Sequence, residues 1–212
     1  MEKRLIWDWN GTLLDDVPSA VSALNRMLVK RGVKPITVDC YRKRFGFPVR
    51  PFYAELGVDL ERWDWDEICA DFHSYISEEP QTVREDAVEA LQLAKDKGVR
   101  QYVLSALRQD LLDDALAKNG LRPFFDLVYG VDNLDGASKV RRGHELVEAI
   151  GADVHLGGTF VIGDTLHDAE VAGDLGAGCV LVSCGHQEAS RLAVAGCPVA
   201  PSLVSAVELA FP

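Results

Sequence analysis

The stretch that decides the fold is Leu5-Ile6-Trp7-Asp8-Trp9-Asn10-Gly11-Thr12-Leu13-Leu14-Asp15-Asp16. An apolar run ends abruptly in an acid, and a glycine and a hydroxyl follow within four residues. A buried strand that delivers a carboxylate to its carboxyl end has this pattern. Gly11 lets the backbone turn tightly and approach a ligand. A carboxylate presented in this way serves as a nucleophile, a metal ligand, or both.

Working outward, Asp16 is placed to cap a helix with Pro18 in its first turn. Val17, Ala20, Val21, Leu24, Met27 and Leu28 then repeat at helical spacing until Gly32. From there to Pro80 no strand is convincing. Short helical patterns at 38–45, 51–56 and 66–77 alternate with breakers in an aromatic-rich segment. After residue 84 the pattern changes to alternation. Helices are expected at 84–97, 110–118, 139–150 and 166–175, and strands at 101–105, 127–129, 159–162 and 179–183. Further helices are expected at 187–195 and 203–209. Alternating apolar strands and helices predict an α/β fold, a Rossmann-like parallel sheet with helices on both faces. A βαβ unit needs only one crossover helix, so residues 16–80 read as an inserted α-helical cap, and 1–15 with 81–212 as the core.

Ligands of open parallel sheets bind outside the carboxyl ends of the strands. Those ends carry Asp8, Ser105 and Gly163-Asp164, and the loop after the third strand leads to Lys139. Asp164 and Asp168 stand four apart across a strand–helix junction with no nearby cation in the sequence. Mutual repulsion makes that pair costly unless something positive binds. Hard oxygen ligands with open positions suit magnesium. Each residue also has an ordinary role: Ser105 as a helix cap, Lys139 as a solvated helix residue, and 163–168 as a strand end with a capped helix.

These pieces resemble the four motifs of the haloacid dehalogenase superfamily, in its phosphoglycolate phosphatase-like branch. Asp8, Gly11 and Thr12 match motif I, Leu104-Ser105 motif II, Ser138-Lys139 motif III, and Val161-Ile162-Gly163-Asp164-Thr165 with Asp168 motif IV. The resemblance implies a Mg2+-dependent phosphomonoesterase for a small phosphorylated metabolite. It implies Asp8 as nucleophile, with Asn10, Ser105 and Lys139 as the other catalytic positions. It implies phosphate binding by Gly11, Thr12, Ser105, Ala106 and Lys139, and Mg2+ held by Asp8, the Asn10 backbone carbonyl and Asp164, with Asp168 in support.

Asn10 departs from the family, whose phosphatases carry a second Asp there. An amide cannot act as the general acid–base, a role worth ~10²–10⁴ in rate. Three explanations stand open: proton transfer by water or a cap residue, a slow enzyme, or a phosphate- or phosphoprotein-binding regulator that lost turnover. A phosphonatase-type C–P hydrolase is a further alternative. It would need a cap lysine to form an imine, with Lys30, Lys34 and Lys43 as candidates.

Other residues receive modest roles. Trp7 and Trp9 belong in the core, His167 packs or orients, and His186 starts a helix. Arg44 or Arg50 could meet a second anionic group of the substrate.

Composition bounds the rest. The 212 residues suffice for one α/β core with a small insertion, and 48% hydrophobic with 26% charged residues is ordinary for a folded domain. A net charge of −11 argues against nucleic-acid and anionic-membrane partners. No apolar run reaches membrane length and no signal-peptide pattern opens the chain. The odd set Cys40, Cys69, Cys179, Cys184 and Cys197 has no Cys-x-x-Cys pair, which favours reduced thiols. The expectation is a cytoplasmic enzyme, monomeric or homodimeric.

Overall fold

A computed structural model describes residues 2–132, 139–151 and 158–212. Ser138 lies outside these residues. The sheet is six-stranded, all parallel, in the order β3-β2-β1-β4-β5-β6. Its strands are β1 (Arg4–Trp7), β2 (Arg100–Arg108), β3 (Leu127–Val131), β4 (Thr159–Gly163), β5 (Gly178–Val182) and β6 (Val199–Ala200). The opening stretch supplies the central strand: all of β1 is buried between β2 and β4.

Strand side chains alternate between faces, so each apolar strand feeds two cores. Leu5, Trp7, Val103, Ile162, Val180 and Val182 face one core. Ile6, Tyr102, Leu104, Val161 and Cys179 face the other. The first core is covered by α5 (Ala87–Asp96), α6 (Gln109–Lys118) and α10 (Leu203–Ala210). The second is covered by α7 (Lys139–Ile150) and α8 (Leu166–Leu175). Fully burying a large apolar side chain stabilises by roughly 1.5–3 kcal/mol, so continuous apolar strands hold this sheet together. Trp7 and Trp9 are both fully buried in the first core, as expected.

Two features were not expected. The sheet has a sixth strand, β6, which is two residues long and flanked by Pro198 and Pro201. It is too short for any periodicity, and prolines that cannot donate are tolerated at a sheet edge. Strand β2 also continues past Ser105 to Arg108. Its pairing with β3 slips between Leu104 and Arg108. The Ser105 hydroxyl accepts from the Leu107 N–H at 3.0 Å, bracing the bulge. Gly130 on β3 permits it, because a Cβ there would collide with the Leu107 carbonyl.

Residues 16–80 contain helices only: α1 (Val17–Lys30), α2 (Val38–Arg44), α3 (Val49–Glu55) and α4 (Trp65–Ile76). They enclose an apolar cluster of their own, with Leu24, Met27, Tyr41, Phe52 and Ile68 at its centre. The chain enters and leaves this block side by side: the Asp15 N–H donates to the Thr82 carbonyl at 2.8 Å, and Leu14 bridges Val83. No helix among the described residues is long and apolar enough to cross a membrane.

Candidate active site

The carboxyl rim of the sheet brings the expected residues together. Asp8 follows β1, Ser105 and Ala106 lie on the bulge of β2, Lys139 opens α7, and Asp164 and Asp168 flank the junction of β4 and α8. All of these, with Asn10, line one cavity. The acids Asp8, Asp164 and Asp168 are buried, and their ligand atoms lie within 4.8 Å of one another.

The cation that stands beside these acids is Lys139, which was expected at this rim, and it also pairs with Asp168, which has no cation near it in sequence. Lys139 Nζ lies 2.6 Å from Asp8 Oδ1 and 2.6 Å from Asp168 Oδ1, and Lys139 is buried. The sequence hid this pairing because the three residues come from three distant elements. Burial alone would lower the lysine pKa, but Asp168 and Asp8 outweigh it and hold the ammonium charged. Asp168 is kept ionised in return: burial opposes this, and the Lys139 charge and bond prevail.

Asp168 differs from the other two acids. Its second oxygen accepts from the Thr165 hydroxyl at 2.7 Å and from the N–H groups of Thr165 and Asp164 at 3.0 and 3.2 Å. This is the reciprocal cap of α8. Both oxygens of Asp168 are therefore engaged by protein donors. Its capping and its electrostatic role are one arrangement.

Asp8 and Asp164 remain short of positive charge. Burial, with Asp168 adding, pushes the Asp8 carboxyl up to about 6 against the pull of Lys139. Burial, opposed by His186 and reinforced by Asp8 and Asp168, pushes Asp164 up to about 7. Two buried carboxylates that resist ionising together are a hard-oxygen donor set for a small divalent cation. Asp164 is held tightly: the Thr12 hydroxyl donates to it at 3.3 Å and the His186 N–H at 2.5 Å. A Cβ at Gly11 or at Gly185 would collide with its carboxylate, and Gly11 has φ +75°. Both glycines are thus required by space, and Gly11 by conformation as well.

Several expectations need correction. Asp16 does not cap α1 through its side chain. Its carboxylate accepts instead from the Gly11 N–H at 2.7 Å and from Asn10 Nδ2 at 2.8 Å, and lies 3.3 Å from His186 Nε2. The Gly11 N–H is thereby turned into the protein. The Thr12 N–H is likewise turned inward, to the Trp9 carbonyl, and neither Gly11 nor Thr12 lines the cavity. The Thr12 hydroxyl holds Asp164, and Gly11 leaves room for the Asp164 carboxylate.

His186 does not start a helix. It is buried, lines the cavity, and bonds the Tyr41 hydroxyl through Nδ1 at 2.9 Å. Burial would lower its pKa, but Asp16, Asp164 and Asp8 hold it up at about 9, so the imidazolium balances Asp16. Burial is outweighed at Asp16 too: the His186 charge and bond, Asn10 and Gly11 lower its pKa. Asp16 and His186 were missed because each had an ordinary local role. Their partners are 5 to 170 residues away in sequence, and no spacing marks them.

Neither Arg44 nor Arg50 reaches the cavity. Arg44 donates to the Glu55 carbonyl at 2.6 Å, and Arg50 stacks 5.6 Å over Trp65. Lys30 pairs with Asp71 at 2.8 Å, and Lys34 and Lys43 are exposed; none of the three lines the cavity, so nothing here favours imine chemistry. His167 stacks on Phe47 at 5.3 Å, in the packing role expected.

Above the rim, the cavity runs up between the sheet and the helices of residues 16–80. Its volume is about 690 Å³. The two parts are stitched together beside it. Gln187 Nε2 donates to the Phe45 carbonyl at 2.9 Å, Arg191 donates to the same oxygen, and Arg42 donates to the Ser183 carbonyl.

Comparison with known proteins agrees with this geometry. Residues 5–182 match the haloacid dehalogenase-like hydrolase family. A phosphoglycolate phosphatase of Caulobacter vibrioides is 30% identical over 196 residues, covering 87% of this chain and 80% of that one. One of Rhodobacter capsulatus is 28% identical, covering 89% and 87%. Among solved structures, a predicted phosphatase of Clostridium acetobutylicum superposes with a TM-score of 0.80 at 18% identity, over 98% of this chain and 97% of that one. A haloacid dehalogenase-like hydrolase of Streptococcus pneumoniae gives 0.79 at 17%, over 98% and 97%.

Proposed function

Because the chain belongs to the haloacid dehalogenase-like hydrolase family and is a phosphatase, we propose that it hydrolyses small phosphomonoesters with Mg2+ through an aspartyl phosphate on Asp8. The observation that carries this reading is the buried lysine between two acids. Lys139 holds one Asp8 oxygen at 2.6 Å, so the carboxylate is oriented, and the lysine charge offsets part of the burial that resists its ionisation.

The chemistry asked of each residue follows. Asp8 attacks phosphorus in line, the bond from phosphorus to the leaving oxygen breaks, and that oxygen takes its proton from solvent. Lys139 draws charge from the phosphoryl oxygens as the Asp8 oxygen becomes phosphorylated. Ser105 donates its hydroxyl proton to a phosphoryl oxygen while its own oxygen stays on the Leu107 N–H. Water then attacks phosphorus, the bond to Asp8 breaks, and inorganic phosphate leaves. Asp8, Asp164 and the Asn10 backbone carbonyl would hold Mg2+, and Asp168 would act through Lys139 rather than as a ligand. When bound, Mg2+ neutralises charge on the phosphoryl oxygens.

Residues 16–80 act as a cap that closes over this site and expels water. Their separate apolar cluster and the paired hinge at residues 14–16 and 80–83 support this reading. The test is phosphate release from a panel of phosphomonoesters with Mg2+ and with EDTA, with mass spectrometry of the quenched protein. Phosphate on Asp8, absent from Asp8→Asn, is expected. Turnover that survives EDTA or the Asp8 substitution would overturn the mechanism.

A further inference from the structure

The cavity is far larger than a short substrate needs. A phosphate on a two-carbon acid fills the space of roughly five waters, ~150 Å³ at ~30 Å³ each. The cavity holds about 690 Å³, in the range of pockets for drug-sized ligands. Above Asp8 its wall is apolar and largely aromatic, with Phe47, Val49, Trp65, Phe72, Ile76 and Leu111 contributing. Phe47 and Leu111 are both 41% exposed although large and apolar, and both border this space. Solvent-facing apolar side chains that converge on a catalytic carboxylate call for an apolar ligand.

Charge points the same way. Among the described residues of the wall, the buried cations are Lys139 and His186. Lys139 is held by Asp8 and Asp168, and His186 by Asp16. Arg108 at the mouth is held by Asp110 through two bonds of 2.5 and 2.6 Å. Lys118 is exposed and shares its part of the wall with Asp114. No buried cation is left over for a carboxylate on the leaving group.

The reacting end supplies an independent constraint. Asn10 lines the cavity together with Asp8, and an amide there gives no proton to a leaving oxygen. Its amide nitrogen is committed to Asp16 at 2.8 Å. His186, the protonated group of the wall, is engaged by Asp16 and Tyr41, so with an amide at Asn10 the site handles best a leaving group that departs as a stable anion. A phenol, with a pKa of about 10 like the tyrosine side chain, leaves far more readily than an alcohol near the ~15.7 of water.

We propose that the substrate is an aryl phosphate monoester: a phosphate on the phenolic oxygen of an apolar ring system, with the ring held against Phe47, Trp65, Phe72 and Leu111. This rests on the phosphatase reading above. Asp8 attacks phosphorus, the bond from phosphorus to the aryl oxygen breaks, and the electron pair leaves on the phenolate, which takes its proton from solvent. Water then cleaves the aspartyl phosphate at phosphorus and supplies the hydroxyl of the inorganic phosphate.

Four substrates test this with saturating Mg2+: 1-naphthyl phosphate, phenyl phosphate, benzyl phosphate and 2-phosphoglycolate. Phenyl and benzyl phosphate are similar in size and differ mainly in leaving-group pKa. Phenyl phosphate should exceed benzyl phosphate in kcat/KM by about 10² or more, the scale of a missing general acid. 1-Naphthyl phosphate should exceed phenyl phosphate, chiefly through KM. Phe47→Ala, at a half-open position that tolerates truncation, should lower the naphthyl-to-phenyl ratio about tenfold, the scale of a lost apolar contact. Calorimetry with 1-naphthylmethylphosphonate and methylphosphonate should show the same preference without turnover. Equal or better hydrolysis of 2-phosphoglycolate or benzyl phosphate overturns the inference and leaves the phosphatase reading standing. So does a naphthyl-to-phenyl ratio near one, or a ratio that Phe47→Ala leaves unchanged. No phosphate release from any of the four overturns both.

Discussion

The floor and the roof of the cavity are built on opposite principles. The floor is a set of strand ends and helix starts whose charged groups have partners: Lys139 with two acids, Asp168 with the cap of α8, and Asp164 with Thr12 and His186. The roof is a cluster of rings in edge and tilted contact, such as Phe45 on Phe52 at 5.5 Å and Tyr53 on Trp65 at 5.8 Å. Paired buried charges fix positions, and the loss of one partner strands the other. Ring contacts are non-directional by comparison and tolerate exchange. In the proposed function, chemistry therefore belongs to the floor and selectivity to the roof.

The largest expected effect tests the floor. Asp8→Asn removes the proposed nucleophile and should cost on the order of 10⁴-fold or more in phosphate release, with circular dichroism unchanged. Lys139→Met comes next. It leaves Asp8 and Asp168 buried without their shared cation. Urea unfolding of the metal-free variant at pH 8 should show a loss of about 3–5 kcal/mol, the cost of breaking a buried pair. An unchanged midpoint would mean that the floor is not held by this pairing.

The dependence on pH separates the floor's own charge from that of the metal. Asp8 and Asp164 titrate at about 6 and about 7 in the fold, above their ordinary 3.8. The folded state therefore binds more protons than the unfolded state between these values. The stability this contributes is fully present below 3.8 and is lost as pH rises through 6 and 7. Asp168 and Asp16 are lowered and act oppositely, contributing stability above 3.8 that is lost as pH falls through their depressed values. Thermal melts with EDTA should decline from about pH 5 to 8, and the stabilisation added by Mg2+ should grow across the same range. A Mg2+ increment independent of pH would mean that Asp8 and Asp164 are not its ligands.

Smaller effects probe the seam and the floor's adaptation. Tyr41→Phe removes the hydroxyl that joins α2 to His186 at 2.9 Å. It should destabilise by about 1–2 kcal/mol, since it leaves a buried ring nitrogen without a partner. Asn10→Asp restores the family's usual carboxyl, and its effect on alkyl phosphates should be the smallest, a gain below about tenfold. The new carboxylate would face Asp16 where Asn10 Nδ2 now donates at 2.8 Å, so repulsion offsets much of the ~10²–10⁴ that a general acid supplies. A gain near the top of that range would show that the floor has not settled around the amide.

Much of the architecture was legible in the chain because it rests on local patterns. Apolar runs of strand length, glycines at turns and helical spacing are all contained within windows of about ten residues. Thus β1, β4, α7 and α8 fall where they were expected, and Asp8, Lys139 and Asp164 follow as residues at strand ends or helix starts, whereas Ser105 lies within β2 at its bulge. The two-residue β6 and the bulge of β2 were not legible. One has no period to detect, and the other depends on Gly130 in a neighbouring strand.

What the sequence determined by itself was the order of elements and which groups arrive at the rim, since both depend on neighbours in the chain. What only the tertiary structure decided was how those groups divide the work. Asp16 leaves its own helix to gather Asn10, Gly11 and His186. Asp168 gives both oxygens to protein donors, and the aromatic residues of 16–80 meet over Asp8 rather than over solvent. These outcomes turn on the competition of burial, charge and hydrogen bonding among residues far apart in sequence. Nothing local records which partner wins, because the energies that decide it arise only once water has been removed from between them.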